Sequence, residues 1–190
     1  MKTFLEIGCA DFDTLIPLAK KGGWCGYCVE PIPRHADYLR DKTKALPVGV
    51  RQLAISDHDG TATMKVGTTP TGQEDRWADG ASHICDASHE GARLLELPGN
   101  VNLGLVAGNL KVPCLTLDTF LDSENIDHLD LMKVDVEGHE MNILRSYSWR
   151  IKPSIIKIEH KHLSGNELDR LLIGQGYTLF VERDDIYAIQ

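Results

Sequence analysis

The residues of this chain best suited to chemistry are the acids that close three short apolar runs. Asp135-Val136-Glu137-Gly138-His139-Glu140 follows Leu129-Asp130-Leu131-Met132-Lys133-Val134, Glu6-Ile7-Gly8 follows Phe4-Leu5, and Glu30-Pro31 follows Tyr27-Cys28-Val29. Such runs predict buried strands, and open α/β sheets bind ligands just outside the carboxyl ends of their strands. Acids at three strand ends suit a positively charged or hydroxyl-rich ligand. A further polar set, Glu159-His160-Lys161-His162, follows Ile155-Ile156-Lys157-Ile158.

Asp135 is expected to face the reacting group, binding substrate or acting as a base, while Glu137 could equally be a local structural acid. Glu159, His160 and His139 are the other catalytic candidates; an unperturbed imidazole titrates near ~6.5. Asp135, Glu159 and His160 also compose an oxygen and nitrogen set for Mg²⁺ or Mn²⁺, although no close-spaced ligand motif accompanies them.

Glu6-Ile7-Gly8-Cys9-Ala10-Asp11-Phe12-Asp13 stands where a glycine-rich nucleotide loop would be. A dinucleotide fingerprint wants glycine at 8, 10 and 13. Here Ala10 and Asp13 break it, and Asp11 and Asp13 would repel a pyrophosphate at the helix N-terminus. S-adenosylmethionine has no phosphate and carries a sulfonium and an ammonium, which Glu6 and Asp11 can meet while Gly8 lets the backbone approach. Glu30 lies roughly ~20 residues further on, where an acid accepts ribose hydroxyls.

These residues need strands and helices to place them. Strands are predicted at 3–8, 26–30, 49–55, 61–66, 112–116, 129–134, 154–159, 177–181 and 185–189. Helices are predicted from Asp13 or Thr14 to Lys21, Pro33 to Lys44, 118–122, 139–147 and 165–173. Pro17 fits only a first turn, and Gly22-Gly23 ends that helix. Strand–helix alternation closing in a hairpin around Arg183-Asp184-Asp185 indicates a doubly wound, mostly parallel α/β sheet with an antiparallel edge. Residues 67–110 are rich in Gly, Thr, Asp and Asn and are expected either to form a substrate lid within a single domain, 1–190, or to be disordered. His83, His89, Trp77 and Arg76 are candidate acceptor contacts there.

At 190 residues the chain can build one full core. Its net charge of −8 excludes a basic nucleic-acid surface. No run approaches the ~20 apolar residues of a membrane span, and no secretory segment opens the chain, so a cytoplasmic protein is expected. The five cysteines, Cys9, Cys25, Cys28, Cys85 and Cys114, then read as reduced thiols, with Cys25-Gly26-Tyr27-Cys28 as packing rather than zinc or redox chemistry.

Together these residues resemble the FkbM family of S-adenosylmethionine-dependent methyltransferases. The likeness rests on Glu6-Ile7-Gly8, Glu30-Pro31-Ile32-Pro33, Ala54-Ile55-Ser56-Asp57 with Gly60, and Thr116-Leu117-Asp118-Thr119-Phe120-Leu121. Above all it rests on Lys133-Val134-Asp135-Val136-Glu137-Gly138-His139-Glu140. The resemblance implies a class I methyltransferase (Rossmann-like) fold, with a seven-stranded sheet and a reversed last strand. It implies methyl transfer to a hydroxyl of a sugar or natural product. It places the cofactor against Glu6, Gly8, Cys9, Ala10, Asp11, Glu30, Pro31, Ala54, Ile55, Ser56 and Asp135. The chain departs from the family where Ala10 and Phe12 replace the usual Asn and second Gly. A catalytically degenerate binding module and an NAD-dependent oxidoreductase are the alternatives.

Overall fold

A computed structural model describes residues 1–10, 14–68, 82–84, 106–160 and 166–190. Asp11, Phe12, Asp13, Arg76, Trp77, Cys85, His89 and His162 lie outside the described residues.

In chain order the elements are β1 (Lys2–Ile7), α1 (Ile16–Lys21), β2 (Trp24–Val29), α2 (Pro33–Thr43), β3 (Val48–Arg51), β4 (Ala54–Ser56), β5 (Gly60–Thr68) and β6 (His83–Ile84). They continue with β7 (Val106–Thr116), α3 (Leu117–Ser123), β8 (Leu131–Val134), α4 (Glu140–Ser146), β9 (Ile155–Glu159), α5 (Glu167–Gly174), β10 (Thr178–Glu182) and β11 (Asp185–Ile189). Seven strands form one sheet in the order β10-β11-β9-β8-β1-β2-β3. The five strands from β9 to β3 are parallel, and β11 and β10 run antiparallel to their neighbours. This is the doubly wound sheet with an antiparallel C-terminal hairpin expected from the sequence.

The alternation along β1 explains the two-sided packing. Leu5 and Ile7 enter a cluster with Phe120, Ile143, Leu144 and Leu172 of α3, α4 and α5. Phe4 points to the other face, with Ile16 and Ala19 of α1 and Leu39 of α2. Glu6 lies between these apolar positions and is fully buried.

Helix α1 has no side-chain cap at its N-terminus. The Glu6 carboxylate substitutes for one, accepting the N–H groups of Thr14 at 3.1 Å and Leu15 at 2.9 Å. Pro17 sits in the first turn, as its missing N–H requires.

The structure departs from the sequence reading after β2. The strand expected at 49–55 is two strands in two sheets. β3 joins the main sheet, and β4 turns away to pair in parallel with β7. β7 starts at Val106 rather than Val112 and pairs antiparallel with β5 over Gly60–Thr68. Parts of the weakly patterned stretch 67–110 are therefore strand. This second sheet, in the order β4-β7-β5-β6, has its own apolar cluster, which includes Ile32, Ala54, Met64, Val66, Ile84 and Val112.

Candidate active site

The carboxyl ends of β1, β2 and β8 converge where the chain order reverses, with β2 on one side of β1 and β8 on the other. That is the switch point at which open α/β sheets bind ligands. A cleft opens there, lined from both sides. Gly8, Cys9, Ala10, Glu30, Pro31, Lys133, Asp135 and Glu137 line it from the main sheet. Leu53, Ala54, Ile55, Met64, Ser82 and Ile84 line it from the side of the second sheet.

Gly8 is dictated by contact. Its φ is +76°, and a Cβ there would sit 1.7 Å from the backbone oxygen of Asp135. The first loop and the end of β8 are thus in direct backbone apposition, reinforced by the Asp135 N–H donating to the Ile7 carbonyl at 3.0 Å. Ala10 also has a positive φ, 44°, in the region L-residues enter at a cost.

Glu30 is 3% exposed. Its Oε2 accepts the N–H groups of Cys9 at 3.2 Å and Ala10 at 2.8 Å, and its Oε1 accepts that of Ile32 at 2.9 Å. One carboxylate therefore ties the first loop to the end of β2. Burial raises its pKa, and the three backbone donors oppose the shift.

At the other end, Lys133 and Glu6 are partners in the β1–β8 register. The Lys133 ammonium lies 3.4 Å from Glu6 Oε1 and 3.0 Å from Asp135 Oδ2, with a side chain 6% exposed. Burial alone would lower its pKa; Asp135 and Glu6 outweigh that and hold it above its usual value. Sequence reasoning gave Lys133 no role at the site. The signal that could have found it is the pairing of β1 with β8, which sets a lysine opposite a buried glutamate.

The turn after β8 bends through two positive φ values, Glu137 at 56° and Gly138 at 101°. Glu140 braces it, accepting the N–H groups of Val136 and Gly138. The local structural acid is therefore Glu140 rather than Glu137, which lines the cleft. Burial raises Glu140 to a pKa of about 6 against these donors.

The remaining expected site residues fall elsewhere. Glu6 is not among the lining residues: its oxygens face the N–H groups of Thr14 and Leu15 and the Lys133 ammonium. Ser56 and His139 also stand behind the cleft wall, with Ser56 Oγ 3.0 Å from His139 Nε2 and both residues buried. That contact fastens the N-terminus of α4 to β4 and leaves His139 away from the cleft lining. Ligand atoms of Asp135, Glu137 and Glu159 come within 4.8 Å of one another. His160, expected as the third metal ligand, is not in that group, and its buried Nε2 has no hydrogen-bond partner among the described residues. Asp135 and Glu159 of the expected Mg²⁺ or Mn²⁺ donor set thus come together with Glu137 rather than with His160, and Lys133 stands 3.0 Å from Asp135 Oδ2.

A family model described as the methyltransferase FkbM domain matches residues 6–179. The chain belongs to the FkbM methyltransferase family. It is therefore an enzyme of the EC 2.1.1.- class with a class I methyltransferase fold, and the family implies use of S-adenosylmethionine. Comparison with curated proteins finds no match. Among the described residues of this FkbM domain no helix is long and apolar enough to cross a membrane.

Proposed function

We propose that the cleft holds S-adenosylmethionine and that the enzyme methylates a hydroxyl of a sugar or other small molecule. The observation that carries this reading is the convergence of Gly8, Glu30 and Asp135 on one cleft at the switch point. The residues fit the cofactor. The Gly8 cradle admits close backbone approach, and no phosphate-binding glycine series accompanies it. Glu30 Oε1 receives one N–H where Oε2 receives two, so Oε1 is the oxygen with room for a ribose hydroxyl. Pro31, Ala54, Ile55, Met64 and Ile84 offer apolar surface for a nucleobase.

When bound, the cofactor supplies an electrophilic methyl group on a cationic sulfur. The protein's part is to hold the acceptor in line and to take its proton. Asp135 does the latter at Oδ1, because Oδ2 faces Lys133; a positioned base contributes roughly 10²–10⁴-fold. Lys133 itself stays an ammonium and is no base. Residues 67–110 choose the acceptor in this reading, supported by the presence of Ser82 and Ile84 in the cleft wall. The enzyme is taken as cytosolic on its free thiols Cys9, Cys25, Cys28 and Cys114.

Calorimetric titration with S-adenosylhomocysteine, with NAD as a parallel control, tests the reading. Micromolar binding of the former alone supports it, and glycans and polyols then serve as the acceptor screen. Binding of NAD alone, or of neither, would overturn it.

A further inference from the structure

The cleft's reacting end carries an unusual charge arrangement for a site that takes a cation. A buried ammonium stands in the wall, between one carboxylate behind it and one in front. Glu6 and Asp135 bring two negative charges and Lys133 brings one positive, so the trio's net charge is −1. Glu6 is fully buried and bound to the backbone of Thr14 and Leu15. It cannot turn away from Lys133 without releasing the start of α1. The ammonium is thus fixed in place from both sides.

We propose that Lys133 is a specificity-determining residue of the cleft: its ammonium, clamped between Glu6 and Asp135, sets how strongly the site prefers a sulfonium ligand over the neutral thioether. This rests on the S-adenosylmethionine reading above and extends it. The cofactor and its demethylated product differ by one methyl and one positive charge at sulfur. A site with too much negative charge there would hold the cofactor tightly and resist the charge loss of transfer. A site with too little would favour the product and be inhibited by it. Lys133 trims the field between these limits. A charge a few ångströms away in a partly buried site acts through a moderate effective dielectric and changes affinity by about tenfold or more.

The test compares S-adenosylmethionine and S-adenosylhomocysteine by calorimetry at pH 8 and reads the ratio of their dissociation constants, thioether over sulfonium. In Lys133→Met the trio carries −2, and the ratio should rise about tenfold over wild type. In Asp135→Asn it carries 0, and the ratio should fall by about the same factor. The double variant returns to −1, and its ratio should lie within about threefold of wild type. Glu137 and Glu159 near Asp135, and Cys9 near Glu6, are the same in all four proteins. Should Lys133→Met fail to fold, the double variant against Asp135→Asn reads the same removal of the lysine with the same sign. A purely structural lysine would weaken both ligands in parallel, and a ratio constant within threefold across the variants overturns the proposal. Wild-type protein that binds neither ligand would instead sink the cofactor reading on which it rests.

Discussion

Glu30 and Glu140 are buried carboxylates held chiefly by backbone N–H groups, and that shared design gives each a measurable signature. Glu30 gathers donors from two loops and faces the cleft. Glu30→Ala should weaken S-adenosylhomocysteine binding by about 1–3 kcal/mol, the worth of charged hydrogen bonds; an unchanged dissociation constant in calorimetry would remove it from the ligand site. Glu140 has its pKa raised from 4.5 to about 6 by burial. An acid with a raised folded-state pKa binds its proton more readily when folded. Its contribution to stability is complete below pH 4.5 and is lost as pH rises through 6, on the order of 2 kcal/mol. Urea unfolding across that window should show wild type losing stability relative to Glu140→Gln by this amount. Parallel pH profiles would mean that burial of this carboxylate is not the cause.

Ser56 and His139 are 83 positions apart in sequence and 3.0 Å apart in the fold, a pairing that belongs to the elements rather than to either residue. Ser56→Ala should cost about 1–3 kcal/mol of stability by leaving a buried imidazole nitrogen unmatched. Because the contact lies behind the cleft wall, the dissociation constant for S-adenosylhomocysteine should change less than about twofold. A large loss of affinity with intact stability in denaturant titration would return His139 to the catalytic machinery. The same pair marks where the sequence stops being legible. β1, β2, β8, β9 and the final hairpin could be read because each is an apolar run with punctuation at its ends. The split of 48–56 between two sheets could not, since Val50 and Ile55 look alike until their partners are known. The early start of β7 was hidden by Gly108 and Asn109, which composition assigns to a loop and which β5 pairs into a ladder. At the site, the strand-end acids were legible as a set but not by role. Asp135 and Glu30 reach the cleft, Glu6 serves the helix behind it, and Lys133 acquires meaning only from strand pairing.

At the scale of the molecule the cleft lies between two sheets: Ile55 of β4 and Leu115 of β7 pack with the cluster of β1 and β8, while Met64, Val66 and Val112 belong to a second cluster. A ligand in the cleft touches Asp135 on one side and Met64 on the other, and so contacts both sheets. A hundredfold excess of S-adenosylhomocysteine over its dissociation constant stabilises the folded state by about 2.7 kcal/mol. For a domain of this size that should raise the thermal midpoint by roughly 5–10 °C. Differential scanning calorimetry should show that rise with S-adenosylhomocysteine and none with NAD; equal midpoints with and without ligand would contradict binding in the cleft. The second sheet has one further consequence. Thr68 and Val106 stand opposite each other at the end of the β5–β7 ladder, and β6, which lies between them in the sequence, pairs with β5 on its other edge. The strands that carry Glu30, Lys133 and Asp135 belong to the other sheet. In evolutionary terms the two inheritances are separable. A lineage can vary what the second sheet brings to the cleft, such as Met64 and Ile84, while passing on the strand ends beneath it unaltered.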